Sequence, residues 1–158
     1  KKYLKYDGYK NQTVEDIFNP EQLKSARKLS ASCMESSVFL NNKAGKFIRK
    51  PLPVEAQLSS MYSILTYDFD GDGKQDLLLG GNFYEAKPEA GIYAASYGCY
   101  LKGQGNGNFD YVPMDKSGLA IEGAVRDMIL IRQKNNLLML TGRNNASIQI
   151  EKIIKPKR

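Results

Sequence analysis

One short acidic segment carries the residue types best suited to binding a metal ion. Its carboxylates occupy positions 1, 3, 5 and 9 of a nine-residue stretch, and they belong to Asp68, Asp70, Asp72 and Asp76. Glycines at positions 4 and 6 let the backbone curl, and the carbonyl of Lys74 at position 7 can supply a further oxygen. Because Ca²⁺ accepts about six to eight oxygen ligands in flexible geometry, this spacing predicts a calcium site rather than a magnesium or transition-metal site.

The EF-hand is the first comparison for such a loop, but two features of the sequence argue against it. Position 12 is Leu79, where an EF-hand has a bidentate glutamate, and the flanking residues are strand-like instead of helical. We therefore expect a calcium loop between two strands, closed by Asp76. The alternative is an acidic hairpin turn without a metal, which is less favourable because four neighbouring carboxylates repel one another.

Strand-forming runs separated by Gly, Asn and Asp fill most of the chain. The predicted strands are 37–40, 47–49, 62–67, 77–79, 97–101, 109–112, 128–131, 137–140 and 147–153. Short strands with regular turn signals are typical of a mainly β, antiparallel architecture.

Helical signals are confined to the first thirty residues. Thr13 and Asp16 have the spacing of a capping box, and Asn19 followed by Pro20 is typical of a second helix start. Apolar residues at helical spacing then predict a short helix that continues to about Leu29.

Two sequence patterns recur at an offset of about 62 residues. The run 38–47 aligns with 100–109. Each run consists of an apolar strand, a Gly/Asn turn, the pattern Gly-x-Phe and the start of a new strand. The strand–turn–strand run 62–82 likewise matches 126–144. A repeated unit of about four strands is typical of a β-propeller blade.

The number of units limits the architecture. About two units fit after the N-terminal segment, whereas closed propellers have about four to eight blades. We therefore expect four-stranded, propeller-type blades in an incomplete ring. The chain starts at Lys1, without an initiator Met or a charged-then-apolar leader. That start favours a piece of a longer protein over several assembling copies or a small sandwich.

The acidic loop between two apolar strands, followed by Leu-Leu-Leu-Gly-Gly-Asn, resembles the FG-GAP/VCBS repeat of integrin-type β-propellers. The run 97–109 is similar to the outer strands of the same blades. From about Ser36 to Ile153 the chain resembles the C-terminal blades of large bacterial VCBS-repeat proteins of the cartilage-acidic-protein/UnbV type.

This resemblance implies a domain layout and a calcium-stabilised blade. An N-terminal helical segment (1–32) would precede a partial blade (33–58), a blade with the calcium loop (59–118) and a terminal blade without one (119–158). The implied calcium ligands are Asp68, Asp70, Asp72, Asp76 and the Lys74 carbonyl. An exported location is also implied, which is periplasmic, outer-membrane-attached or extracellular.

The chain departs from the family pattern at two places. In the second unit, residues 132–136 form a shorter turn with no carboxylate, so we expect no calcium there. Relatives often have Arg and Asp where this chain has Ile92 and Ala94, which argues against a ligand role for that connection.

Composition and charge exclude two broad classes. Apolar runs such as 128–131 and 137–140 are four residues long, whereas a membrane-spanning helix needs about 20. The net charge is +6, but the basic residues are scattered singly or lie at the chain ends. A nucleic-acid-binding surface would concentrate them on one element, so nucleic acid is not an expected partner.

The two cysteines, Cys33 and Cys99, are too few for a disulfide scaffold and lack the spacing of a zinc site. Two buried thiols are favoured over a single bridge, which stays an open alternative.

Little in the sequence supports a catalytic role, and we expect that this chain is not an enzyme. The chain has no histidine, the commonest general base. The one dense group of carboxylates has the spacing of a calcium loop, and Glu85 and Glu89 have no evident catalytic partner.

The sequence predicts a non-catalytic, calcium-stabilised binding or scaffold module of a larger exported propeller. Its expected partners are the remaining blades or another protein. One alternative is a carbohydrate-binding module of a surface glycan-processing system, suggested by Tyr84, Tyr93, Tyr97 and Tyr100, although half-buried packing is favoured for these residues. Another is a protein–protein interaction edge, because an incomplete ring exposes strand edges. A third is an enzyme domain that uses Glu85 or Glu89.

Overall fold

Antiparallel β-sheets make up most of this protein, whose computed structural model describes residues 4–154. The strands are β1 Ser37–Asn41, β2 Phe47–Pro51, β3 Met61–Tyr67, β4 Asp76–Gly81, β5 Cys99–Gly103, β6 Phe109–Val112, β7 Val125–Gln133, β8 Asn136–Arg143 and β9 Gln149–Ile153. The predicted mainly β, antiparallel class is therefore confirmed, and each predicted strand has a counterpart. The fifth and last start two residues later than predicted, at Cys99 and Gln149.

The strands form three sheets in chain order. A two-stranded hairpin contains β1 and β2, a four-stranded sheet has the order β3-β4-β5-β6, and a three-stranded sheet has the order β7-β8-β9. All neighbouring strands are antiparallel. The four-stranded sheet is thus a simple meander. A short helix, α3 (Met114–Ser117), lies between β6 and β7.

The N-terminal helices are shorter than the sequence predicts. The chain divides into two compact units, Lys1–Met34 and Glu35–Arg158. The first holds α1 (Val14–Ile17) and α2 (Pro20–Ser25). The predicted capping box of Thr13 and Asp16 is present, and α2 begins as predicted, with Asn19 as its N-cap. The helix predicted to reach Leu29 is wrong in extent, because Ala26 already has extended backbone angles. Neither helix buries a residue, so no packing extends them beyond their caps.

The four-stranded sheet carries an apolar cluster on each of its faces within the second unit. On one face it packs against the three-stranded sheet, around Leu78, Ile121, Val125, Met128 and Met139. On the other face a second cluster contains Ala56, Leu79, Cys99 and Leu101. Leu52, which directly follows β2, packs against this second cluster. The sheet that carries the acidic loop is the second of the three in chain order and is called the middle sheet below.

The hairpin is attached to the four-stranded sheet through the turn between β5 and β6. Lys50 on β2 donates to the backbone oxygen of Asn106 at 3.0 Å and to Asn108 Oδ1 at 2.9 Å. Gly107 in that turn has a φ of +79°, and a Cβ there would lie 2.5 Å from Leu40 Cδ1. Both the left-handed backbone conformation and the lack of space for a Cβ therefore favour glycine at this position.

The two cysteines occupy different environments. Cys99 is buried in β5, and this burial raises the pKa of its thiol to about 12, with a further contribution from Glu55. Cys33 is exposed, so the expectation of two buried thiols is wrong for it. Both residues are thiols in the structure.

Candidate metal centre

The acidic loop connects β3 to β4 in the middle sheet. The last residue pair before the loop is Tyr67 with Asp76, so the hairpin closes at the base of the loop. Gly71 and Gly73 have φ values of +79° and +87°. These left-handed conformations favour glycine, and they allow the tight curl that the sequence predicts.

Three of the predicted ligands are brought together in this loop. Asp68, Asp70 and Asp76 each offer one carboxylate oxygen, and these oxygens lie within 4.8 Å of one another. Two oxygens bound to one Ca²⁺ at about 2.4 Å are at most about 4.8 Å apart. The spacing therefore fits a single hard cation, with the remaining ligand positions open to backbone oxygens and water.

Asp76 is the fixed member of this group. It is completely buried, and its two oxygens accept three hydrogen bonds. Oδ2 accepts from the backbone N–H of Phe69 and the hydroxyl of Tyr100, each at 3.0 Å. Oδ1 accepts from the backbone N–H of Gly103 at 2.8 Å. Asp76 thus ties its loop to strand β5.

The approach of β5 to this loop is close. A Cβ on Gly103 would lie 1.9 Å from the backbone oxygen of Gln75, so a side chain there would push the loop away. Tyr100 lies on the same strand, and burial, reinforced by its hydrogen bond to Asp76, raises the pKa of its hydroxyl.

Asp68 shapes the loop from its other end. Its Oδ1 accepts from the backbone N–H of Gly71 at 2.7 Å, and its Oδ2 accepts from that of Gly73 at 3.2 Å. The carboxylate thus holds the two left-handed glycines in place and remains partly exposed.

The fourth predicted carboxylate, Asp72, lies outside the group of three. Its Oδ2 is 3.4 Å from Nζ of Lys102 and 3.6 Å from Nζ of Lys74. Its Oδ1 accepts the backbone N–H of Lys74 at 2.9 Å, the main reason why the pKa of Asp72 is lowered. Lys74, predicted to offer its carbonyl, contacts Asp72 through its N–H in this arrangement.

Lys102 is the site residue that the sequence analysis missed. Its ammonium group on β5 forms a short hydrogen bond with Asp70. This bond lowers the pKa of Asp70 and raises the pKa of Lys102. The ammonium thus supplies the positive charge that balances part of the loop. Its position depends on the pairing of β4 with β5, which the local sequence pattern does not contain.

The other residues singled out by sequence lie elsewhere. The carboxylate of Glu85 accepts a hydrogen bond from Asn144 at 2.7 Å, and Glu89 is exposed. The turn between β7 and β8 has no carboxylate. Tyr100 belongs to the core and not to an exposed tyrosine cluster, since its ring packs 5.7 Å from that of Phe69.

Comparisons with the profiles of known families, with curated proteins and with solved structures find no match for this chain. Within residues 4–154, no helix has the length and apolar character to cross a membrane. The acidic loop and the surfaces of the sheets are therefore the features that bear on function.

Proposed function

We propose that this chain is a non-catalytic binding or scaffold module whose middle sheet is stabilised by one structural Ca²⁺. Asp68, Asp70 and Asp76 hold the ion, and Asp72 joins them when Lys102 moves aside. The observation that carries the proposal is the convergence of three carboxylate oxygens within 4.8 Å in one hairpin loop. Location outside the cytoplasm, as the family resemblance implies, belongs to the same proposal.

A structural role for the ion follows from what the loop is attached to. Asp76 is bonded to β5 through Gly103 and Tyr100, so an ion on Asp76 also fixes the second strand pair of the sheet. The chain has no histidine to act as a general base, and its loop carboxylates are taken up by backbone N–H groups or by lysine. Stabilisation of the hairpin is what this arrangement can supply.

Thermal unfolding in EDTA and then in millimolar calcium tests the proposal. A ligand at 100 times its dissociation constant stabilises the folded state by about 2.7 kcal/mol, which is several degrees for a chain of this size. The shift should disappear in Asp70→Asn and persist in Glu89→Gln, which removes an exposed carboxylate outside the loop. A folded wild-type chain with no shift would refute the calcium site.

We further propose that the sheets are blades of a larger β-propeller. Both larger sheets have a register irregularity at corresponding places, between Met61 and Ser63 in β3 and between Val125 and Asp127 in β7. The next pairs are Ser63 with Gly80 and Asp127 with Gly142. These positions correspond under the sequence offset of about 62 residues.

The corresponding faces of the two sheets differ in what covers them. On the middle sheet, Leu78 and Gly80 face the three-stranded sheet, and a Cβ on Gly80 would lie 2.8 Å from Val125 Cγ1. On the three-stranded sheet, the matching residues are Leu140 and Gly142. A Cβ on Gly142 would meet only the backbone oxygen of Asp127, at 3.7 Å. A further sheet would fit in front of Gly142 as the three-stranded sheet fits in front of Gly80.

This open face is strongly apolar. Ile129 pairs with Leu140, which pairs with Ile150, and the two isoleucines are 48% and 62% exposed. Ile131 and Leu138 continue the same face by strand alternation. A contiguous apolar sheet face of this kind is typical of a protein interface, which favours the remaining blades of a longer chain as partner.

An interaction surface for another protein is the second candidate function, and it uses the same open face. Light scattering at high protein concentration distinguishes the roles. A concentration-dependent association that is lost in Leu140→Lys but kept in Ile64→Lys, an exposed aliphatic residue on β3, favours the interaction surface. A strict monomer weakens it.

A further inference from the structure

A second site lies where the middle and three-stranded sheets meet at one end. Here a cavity of about 390 Å³ opens between the ends of β4 and β8 and two connecting loops. Its lining includes Tyr84, Ser96, Tyr97, Glu122 and Arg143, with Asn82 and Gly123 beside them. Cavities of about 300–1,000 Å³ are typical of small-molecule sites.

The floor of the cavity is held rigidly by Asn82. This buried side chain uses its full hydrogen-bonding capacity, accepting from Ser59 Oγ at 2.8 Å and Ser96 N at 3.1 Å. It donates to the backbone oxygens of Ser96 at 2.6 Å and Gly123 at 3.1 Å. One residue therefore fixes three loop segments relative to each other, so the cavity needs little reorganisation to accept a ligand.

Arg143 is also oriented before any ligand binds. Its Nε and Nη2 donate to the backbone oxygen of Ser147 at 3.0 and 2.7 Å, and its Nη1 donates to that of Glu122 at 3.2 Å. A guanidinium group has five N–H donors, and these bonds take three of them. Among the described residues the other two N–H groups have no hydrogen-bond acceptor, and Arg143 lines the cavity.

Two exposed aromatic rings complete the lining. Tyr84 is 42% and Tyr97 55% exposed, so each presents an apolar ring face and a hydroxyl to solvent. The lining contains one acidic residue, Glu122, and one basic residue, Arg143, so its formal charges cancel. A net-neutral lining with hydrogen-bond donors, acceptors and ring faces suits a neutral polyhydroxylated ligand better than an ion.

We propose that this cavity binds a neutral pyranose saccharide. One ring face stacks on Tyr97 or Tyr84, and vicinal hydroxyls bond to Arg143 and Glu122. This assignment rests on the proposed binding role of the module and names its ligand class. It uses two of the four tyrosines that the sequence analysis grouped and leaves out Tyr93 and Tyr100.

Calorimetric titration of the full chain tests the assignment. The neutral probes are cellotriose and chitotriose, and the charged probe is trigalacturonate. A neutral probe should bind with a millimolar or tighter dissociation constant. Tyr97→Ala should weaken binding about tenfold, a change within the range of one lost aromatic contact. Tyr97→Phe should retain the affinity, and Tyr93→Ala, an exposed tyrosine outside the lining, should not change it.

Three results would overturn the assignment: no neutral probe binds, trigalacturonate binds more tightly, or Tyr93→Ala weakens binding as much as Tyr97→Ala. Tyr84→Ala provides a second aromatic variant if Tyr97→Ala does not fold. Calcium dependence of the melting temperature is recorded on the same samples. A calcium shift without saccharide binding removes this inference alone, and saccharide binding without a calcium shift removes the metal proposal alone.

Discussion

The hydroxyl of Tyr100 donates a hydrogen bond to Asp76 Oδ2 across 3.0 Å, and this bond joins the acidic loop to the core. The Tyr100 ring packs against the cluster between the two larger sheets and lies edge-on to Phe69. The backbone N–H of Phe69 donates to the same carboxylate oxygen. Loop and core are thus linked through one buried carboxylate.

Removal of that hydroxyl should weaken the fold without creating a cavity. We expect Tyr100→Phe to lower the free energy of unfolding by about 1 kcal/mol, the net value of one hydrogen bond, measured by urea denaturation. Tyr93→Phe is the matched control, because Tyr93 is half exposed, and it should change stability by less than about 0.5 kcal/mol. Equal stability of both variants would contradict the role assigned to the bond.

Lys102 should compete with calcium for the loop carboxylates. Its ammonium lies against Asp70 and Asp72, so an ion that binds both must displace it. We expect Lys102→Met to lower the melting temperature slightly in EDTA and to raise calcium affinity roughly thirtyfold. Repulsion between two unit charges at 4 Å in a water-like medium is worth about fivefold, and Ca²⁺ carries two charges. Calcium titration of both proteins measures this.

The control for Lys102 is Lys74→Met, which removes an ammonium that lies 3.6 Å from Asp72 Oδ2 and more than 4.0 Å from the Asp70 carboxylate. Its effect on calcium affinity should be smaller. An unchanged affinity in Lys102→Met would mean that the ion does not use the carboxylates that Lys102 occupies.

The strands were predictable because their limits are set by local chemistry. Turn residues bound every strand, and left-handed glycines such as Gly71 and Gly107 stand where the chain reverses. The end of α2 was not predictable, since the apolar spacing up to Leu29 has no partner surface in its short helical unit.

The candidate site was predictable only where local sequence determines it. The group of Asp68, Asp70 and Asp76 depends on spacing within one hairpin, which the sequence contains. The place of Lys102 and the hydrogen bond from Tyr100 depend on how β5 pairs with β4, with Leu78 opposite Tyr100. Such cross-strand relationships come from register between segments that are distant in sequence.

Two corresponding glycines should respond differently to the same substitution. Gly80→Ala places a Cβ 2.8 Å from Val125 Cγ1 and 3.0 Å from Met128 Sδ, so these side chains or the sheet that carries them must shift. We expect a loss of about 1–3 kcal/mol in the free energy of unfolding, typical of overpacking. Gly142→Ala meets only one backbone oxygen, at 3.7 Å, and should be within about 0.5 kcal/mol of wild type. Urea denaturation of both variants measures this, and equal losses would contradict the open face.

Glu151 on β9 should make stability depend on pH above about pH 4.5, the ordinary pKa of glutamate. Burial raises the pKa of this carboxyl, opposed by a hydrogen bond from Gln149 and the charge of Arg143. Its Oε2 is buried and has no hydrogen-bond partner among residues 4–154. A raised pKa in the folded state favours the protonated form. The associated stability is therefore complete below about pH 4.5, the ordinary value for glutamate, and is lost as the pH rises through the folded-state pKa.

Glu151→Gln removes this titration and keeps an oxygen that can accept from Gln149. We expect the variant to be more stable than wild type by roughly 1 kcal/mol at pH 7 to 8, because it no longer buries an unpaired carboxylate oxygen. The advantage should shrink as the pH falls through the folded-state pKa towards about 4.5, and it should stay small below that pH. Thermal unfolding of both proteins across this range measures the difference, and the exposed Glu89→Gln serves as the control. A difference that does not change with pH would contradict a carboxyl whose pKa is raised by burial.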